Sequence, residues 1–365
     1  MVDRVFVIAE AGVNHNGSPE TALALVDAAA KAGADAVKFQ TFRTDKVVTA
    51  AAPKAAYQAA NTGEGGNQLD MIRKLELGDA VFRRLAGHAG ARGIEFMSTP
   101  FDLDSLHFLA TDVRVRRLKI PSGEITNGPF LLAAARTGLP LVVSTGMSTL
   151  QEIEDALGVL AFGLTLPEER PSLAMCRAAF ASAAGQAALR EKVTLLHCTT
   201  EYPAPVADVN LRAMETMRSR FSLPVGYSDH TRGIAVAIAA AALGAAVIEK
   251  HFTLDRTLPG PDHRASLEPG ELKAMVDGVR AATAALGSPE KRPAPSEQPN
   301  IAVARRSLVA ARPIKKGEIF EADMIDAKRP GGGLSPMLTW LLVGRVASRD
   351  YGPDDVITEE SVTEP

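Results

Sequence analysis

Lysines, carboxylates, imidazoles and hydroxyls recur in this sequence at one kind of place, the carboxyl end of a short β-branched apolar run. In chain order these ends carry Glu10 and Asn14, Lys38 and Gln40, Ser98 and Thr99, Lys119 with Ser122 and Glu124, and Ser144 and Thr145. His197 with Thr200 and Tyr202, Ser228 with Asp229 and His230, and Glu249 with His251 follow. Two lysines among several hydroxyls suit a phosphate, because an ammonium taken out of water needs a compensating charge. An internal partner would serve as well, Glu10 for Lys38 or Glu124 for Lys119. The carboxylates and imidazoles suit proton transfer and a divalent metal. His230 and His251 end consecutive runs, so both can project into one mouth and meet at an ion that keeps open positions for substrate, with Glu249 and Asp229 nearby. The alternative is an ordinary pair of hydrogen-bonded histidines at a rim. The glycines of AEAGVNHNG (from Ala9) and STGMST (from Ser144) would let backbone N–H groups approach a phosphate, although a glycine after a strand also serves a plain turn.

The runs that must position these groups span residues 5–12, 35–42, 94–101, 117–124, 139–147, 192–200, 223–230 and 245–253, each followed by an Ala/Leu-rich helical stretch. Eight βα units within about 250 residues match a closed (β/α)8 TIM barrel, whose reacting groups lie at the carboxyl ends of its strands. In the first unit Ser18 can cap a helix, Pro19 suits its first turn, Leu23, Val26 and Ala30 share a face, and Gly33 stops it. Residues 160–191 are long for a connection, and 174–190 predict one extra helix before the sixth strand. Residues 287–304 mix Pro, Ser, Gly and charges and read as a linker. From 305 to 365 short strand-like pieces separated by KKGE, PGGG and GPDD turns predict a small β-rich domain after a barrel domain of 1–286.

Composition agrees with an α/β protein: 46% hydrophobic residues but only 5% aromatic, consistent with small side chains packing helices on strands. A formal net charge of -3, with no basic stripe, argues against nucleic acid and for a small-molecule partner. Cys176 and Cys198 lack disulfide or CxxC spacing, and the start of the chain passes from Asp3 and Arg4 straight into a strand pattern, so a cytoplasmic protein with no membrane span is expected.

Further strings carry a resemblance: AEAGVNHNGS (from Ala9), AVKFQTF (from Ala36), APKAAYQ (from Ala52), STPFD (from Ser98), KIPSGEITN (from Lys119) and STGM (from Ser144). LHCTTEYPAP (from Leu196), GYSDHT (from Gly226), EKHFTLD (from Glu249), GPDH (from Gly260) and KRPGGG (from Lys328) continue it. Together, in order along nearly the whole chain, they resemble the bacterial sialic acid synthase family, of N-acetylneuraminate or legionaminate synthase type. The resemblance implies a (β/α)8 barrel followed by an antifreeze-like SAF domain in a domain-swapped homodimer. It implies condensation of phosphoenolpyruvate with an N-acylated amino sugar, giving a nonulosonic acid and phosphate by C–O cleavage. Lys38, Thr99, Lys119, Ser122, Ser144 and Ser228 would hold phosphoenolpyruvate, and His230 with His251 would bind a divalent ion, Mn2+ or else Mg2+ or Co2+. Gln40, Tyr202 and Asp262 would face the sugar, and Arg329 from the partner's small domain would contact its N-acyl group. Glu10, Glu124 and Glu249 would be the catalytic carboxylates, with Glu124 helping water to add at C2. The expected sugar is N-acetylmannosamine. Thr200, where family members using that sugar often carry Asn, and the CTTEYP string leave 2,4-diacetamido-2,4,6-trideoxymannose, the legionaminate precursor, as the alternative. A reading of another class is a non-catalytic, metal-dependent sugar-binding protein, which phosphate release would exclude.

Overall fold

The computed structural model describes residues 4–62 and 65–363, so Asp3, noted ahead of the first strand, lies outside the described residues. The chain divides into two compact units, one ending at Gly287 and the other beginning at Ser288.

The first unit is built on eight parallel strands: β1 (Phe6–Gly12), β2 (Ala36–Thr41), β3 (Glu95–Pro100), β4 (Leu118–Ile120), β5 (Leu141–Ser144), β6 (Val193–Cys198), β7 (Val225–Asp229) and β8 (Val247–His251). They run in the order β3-β2-β1-β8-β7-β6-β5-β4. The sheet curls until β3 and β4 meet, and Arg117 grips Glu95 across that seam with Nε 2.8 Å from Oε1. Helices follow the strands, as βα alternation demands of a parallel sheet buried on both faces.

Strand periodicity sorts the side chains into two layers. Val7, Ala9, Val37, Phe39, Leu118, Ile120, Leu141, Val143, Leu195, Tyr227 and Ile248 pack outward in the main core. The alternate set fills the barrel. At its lower end Ile8, Ala36, Met97, Val142, Leu196 and Val247 form an apolar plug. Two residues further along, the same face turns polar on five of these strands, with Glu10, Lys38, Thr99, Ser144 and Glu249, and carries Cys198 on β6. Gly226 belongs to this inner set, and a Cβ there would lie 2.4 Å from the Val247 carbonyl oxygen and 2.7 Å from Leu196 Cδ2. Gly226→Ala is therefore expected to cost roughly 3 kcal/mol of stability through overpacking, read as a lowered urea midpoint.

The first helix, Pro19–Ala32, is capped by Ser18, whose hydroxyl accepts from Thr21 N, and is ended by Gly33 at a φ of 82°. Its buried face is Ala22, Leu25, Val26, Ala29 and Ala32, with Leu23 and Ala30 at the margin, one position off the expected stripe. Residues 160–165 complete the helix Leu150–Thr165, and two helices, Leu173–Ala181 and Ala183–Lys192, precede β6 where one was expected. Ser182 both ends the first of these and caps the second, accepting from Gly185 N. A local side-chain cap thus splits one alanine-rich stretch into two.

The second unit pairs β9 (Ser307–Ala310) with β10 (Ile325–Lys328) and β11 (Val346–Ala347) with β12 (Val362–Thr363) in two antiparallel ladders. Leu308, Ile314, Phe320, Leu342, Tyr351 and Ile357 form its own core. The segment read as a linker carries a helix, Gln298–Ala304, tied to this unit by Gly331 N donating to Ala302 O at 2.7 Å. Among the described residues, no helix is long and apolar enough to cross a membrane.

Candidate active site

The inward face of the strands carries its polar groups into one cavity of about 310 Å³ at the carboxyl ends. Glu10, Lys38, Gln40, Thr99, Lys119, Ser122, Ser144, Ser228, His230, Glu249 and His251 all line it, as do Tyr202 and Asp262 from the loops after β6 and β8. The structure does not bring Glu124 into this lining. Its carboxylate, on the turn Ser122–Glu124, accepts a hydrogen bond from Asn127 Nδ2 at 2.6 Å. Arg329 belongs to the second unit, where it is exposed on the turn after β10.

Four buried charges form the floor. Lys38 Nζ stands 2.6 Å from Glu10 Oε2 and 3.6 Å from Glu249 Oε2, while Lys119 Nζ lies 3.5 Å from Glu249 Oε1. The Lys38–Glu10 contact is an ion pair between two side chains that are both buried. The Lys38 ammonium donates to Thr99 Oγ1 at 3.0 Å, and Ser228 Oγ donates to Glu249 Oε1 at 2.8 Å. Of the internal pairs foreseen, Lys38 with Glu10 forms, whereas Lys119 takes Glu249 instead of Glu124. Burial works against every charge here. It pushes Glu10 up to about 7 despite the pull of Lys38. The same burial would raise Glu249, yet Lys119 and Lys38 hold that carboxyl below its ordinary range. Burial lowers Lys119. Asp262 is raised to about 6 by burial, against the attraction of Lys38.

The two histidines face each other with ring centroids 5.5 Å apart, and the Tyr202 ring lies 4.1 Å from His230. Burial lowers His230 to about 4 and His251 well below its ordinary value, the latter helped by the neighbouring imidazole, so both are neutral near pH 7. His230 Nδ1 lies 2.6 Å from the Thr199 carbonyl oxygen, a contact that requires the proton on Nδ1 and leaves the Nε2 lone pair for a ligand. His251 Nδ1, Glu249 Oε2, Ser144 Oγ and Thr200 Oγ1 are buried with no hydrogen-bond partner. Buried polar groups are normally satisfied, so such a concentration fits a polar ligand. A divalent ion fits the two neutral imidazoles, but among the described residues no group of three or more His, Cys, Asp or Glu converges as a metal site. Its remaining positions would fall to substrate or water.

Several groups at the strand ends turn the other way. Asp229, expected beside the histidines, is fully buried behind the barrel wall against Lys250 Nζ at 2.9 Å. His197 lies outside the lining, with its Nε2 2.6 Å from the Val209 carbonyl oxygen. Thr145 donates to the Leu196 carbonyl at 2.9 Å, and Asn14 Nδ2 bonds Phe252 O and Ser266 Oγ. The glycine of the STGM string gives its N–H to Ser122 Oγ at 2.9 Å.

One side of the mouth was not foreseen. Between β2 and the helix Asp79–Ala91 the chain makes an excursion through the short helices Thr44–Val47, Ala56–Thr62 and Gln68–Arg73. It brings Val47, Val48, Met71 and Ile72 to the cavity beside Phe42 and Phe101. Val13, Phe42 and Leu75 form the buried base of this wall. Its residues are scattered in sequence without helical or strand periodicity, and only the string APKAAYQ marked the region.

A model of the NeuB family matches residues 25–291, and one of the SAF domain matches residues 305–363. The chain is 46% identical to the N,N'-diacetyllegionaminic acid synthase of Campylobacter jejuni, over 98% of this chain and 99% of that protein. It is likewise 46% identical to the N,N'-diacetyllegionaminic acid synthase of Legionella pneumophila, over 98% and 94% respectively. The crystal structure of an N-acetylneuraminic acid (sialic acid) synthetase from Leptospira borgpetersenii is 34% identical with a TM-score of 0.66, covering 82% of this chain and 90% of that one.

Proposed function

This chain belongs to the NeuB family, and from that membership we propose that it is an N,N'-diacetyllegionaminic acid synthase, joining phosphoenolpyruvate to 2,4-diacetamido-2,4,6-trideoxymannose. N-acetylmannosamine, the first expectation, yields to its alternative, because two relatives at 46% identity carry the legionaminic name while the sialic acid synthetase stands at 34%.

The observation that carries the choice of sugar is the apolar surface of Val47, Val48, Met71 and Ile72, which lines the mouth alongside Gln58 and Gln68 from the same excursion. The trideoxy sugar has a methyl at C6 and a second acetamido methyl at C4, where N-acetylmannosamine has hydroxyls. Burying those hydroxyls against methyl groups without partners is unfavourable, whereas the methyls gain by leaving water.

In this reading Lys38 and Lys119, with Thr99, Ser122, Ser144 and Ser228, hold the phosphate and carboxylate of phosphoenolpyruvate. Gln40, Tyr202 and Asp262 meet the sugar. His230 and His251 would hold a divalent ion, which when bound supplies Lewis-acid polarisation of a carbonyl oxygen. C3 of the enol forms a bond to the sugar aldehyde carbon, water adds at C2, and phosphate leaves with its bridging oxygen by C–O cleavage. Glu10, raised toward neutrality, is the group suited to hold and pass a proton, and takes the part first expected of Glu124. Glu249 stays ionised and keeps both lysines in place. Arg329 would meet the N-acyl group from the small unit of a second copy, in a homodimer.

The test is steady-state kinetics with both sugars. The wild type should favour the diacetamido sugar by about 100-fold in kcat/KM, the discrimination an apolar pocket can reach. Ile72→Asn should lower that preference by about tenfold, chiefly through the trideoxy substrate. A wild type that prefers N-acetylmannosamine would sink this reading.

A further inference from the structure

We propose that Asp229 and Lys250 form a positioning clamp that fixes the separation of His230 and His251. The two strands place these four residues by simple alternation: Ser228, His230, Glu249 and His251 line the cavity, while Asp229 and Lys250, between them, point to the opposite face. Asp229 and Lys250 are also direct partners in the β7–β8 register. The pair therefore stands immediately behind the two imidazoles and joins the two strands that carry them.

Its surroundings make a charged pair an expensive choice for stability alone. Tyr227 and Ile248, the preceding outward residues on the same strands, belong to the apolar main core, and both members of the pair are 0% exposed. A buried ion pair is often no more stabilising than apolar side chains of similar volume, so its use here calls for what charge and direction add. Asp229 Oδ2 accepts from Lys250 Nζ at 2.9 Å. Asp229 Oδ1 accepts from Thr231 N at 2.9 Å, Thr231 Oγ1 at 2.8 Å and Tyr227 OH at 3.4 Å. The Lys250 ammonium also donates to the Thr231 carbonyl oxygen. Thr231 directly follows His230, so the clamp seizes the backbone on both sides of that histidine and ties it to the residue directly before His251. An apolar pair could fill the same space but could not hold Thr231 by its N–H, hydroxyl and carbonyl together. A site with only two protein ligands depends on their spacing more than a closed site does, because no third ligand corrects a misplaced one.

This inference rests on reading His230 and His251 as metal ligands, and the experiment separates the two claims. Mn2+ is titrated into the full-length wild type, Lys250→Met and the double variant Asp229→Leu/Lys250→Met, with free Mn2+ read by its paramagnetic resonance signal and folding by thermal unfolding. The double variant leaves no unpaired buried charge and should remain folded. The clamp predicts that a folded variant binds Mn2+ at least about tenfold more weakly than wild type, the usual scale for groups that orient ligands. It also predicts phosphoenolpyruvate affinity within about twofold of wild type, which a general loosening of the barrel would not preserve. A folded double variant with wild-type Mn2+ affinity overturns the clamp alone, as does failure of both variants to fold, which would make the pair a stability element. A wild type that binds no Mn2+ overturns the two-histidine reading, and the clamp with it.

Discussion

His251→Ala should bind phosphoenolpyruvate almost as well as the wild type and yet turn over at least on the order of 10³-fold more slowly, a loss of about 4 kcal/mol in transition-state stabilisation. The separation follows from where the groups sit. The anion would be held by Lys38, Lys119 and the hydroxyls of Thr99, Ser122, Ser144 and Ser228, none of which the substitution removes. His251 is buried, neutral and unpartnered at Nδ1, so it does not hold the charged floor together. Its loss opens space beside the Tyr202 and His230 rings, each 5.5 Å from it centroid to centroid, without stranding a charge. In the wild type, chelation should abolish activity and added Mn2+ restore it while the fold persists, because the barrel core does not depend on one ion. Metal content, phosphoenolpyruvate affinity and turnover of the variant are the measurements. A metal-replete, fully active His251→Ala protein would reduce the two histidines to rim residues.

Lys38→Met should raise the phosphoenolpyruvate dissociation constant by about 100-fold or more, close to 3 kcal/mol, the upper range for a charged hydrogen bond. Lys38 stands between two buried carboxylates, and without it Glu10 and Glu249 would repel each other and the incoming anion. The protein has a ready escape. Glu10 is already raised to about 7, so it takes up a proton in the variant and spares the fold most of the cost of an unpaired buried charge. Stability should therefore fall much less than ligand affinity. Thermal unfolding beside calorimetric titration with phosphoenolpyruvate decides the matter: unchanged affinity would make Lys38 an internal counter-ion and nothing more.

Much of this site was legible along the chain because strand ends can be recognised locally. A β-branched run that stops at a lysine, a glutamate or a serine marks the top of a strand, and barrel geometry gathers all such tops into one mouth. That is why Lys38, Lys119, His230 and His251, distant in sequence, could be named together. The kind of fold and the second, β-rich unit were equally local matters of periodicity and turn chemistry.

Direction and partnership were decided by tertiary structure. Side chains on a strand alternate, but closure of the barrel selects which of two neighbours faces the cavity, and so Ser228 and His230 line it while Asp229 pairs with Lys250 behind the wall. Lys119 lies nearer to Glu124 in sequence, yet it meets Glu249 across the barrel interior, because distance in the fold and not spacing along the chain sets the Coulomb energy. The apolar wall shows the same limit. Val13, Phe42, the adjacent pair Met71 and Ile72, and Phe101 come from four separate segments with no shared period, and only the packing of the excursion after β2 over the mouth turns them into one surface.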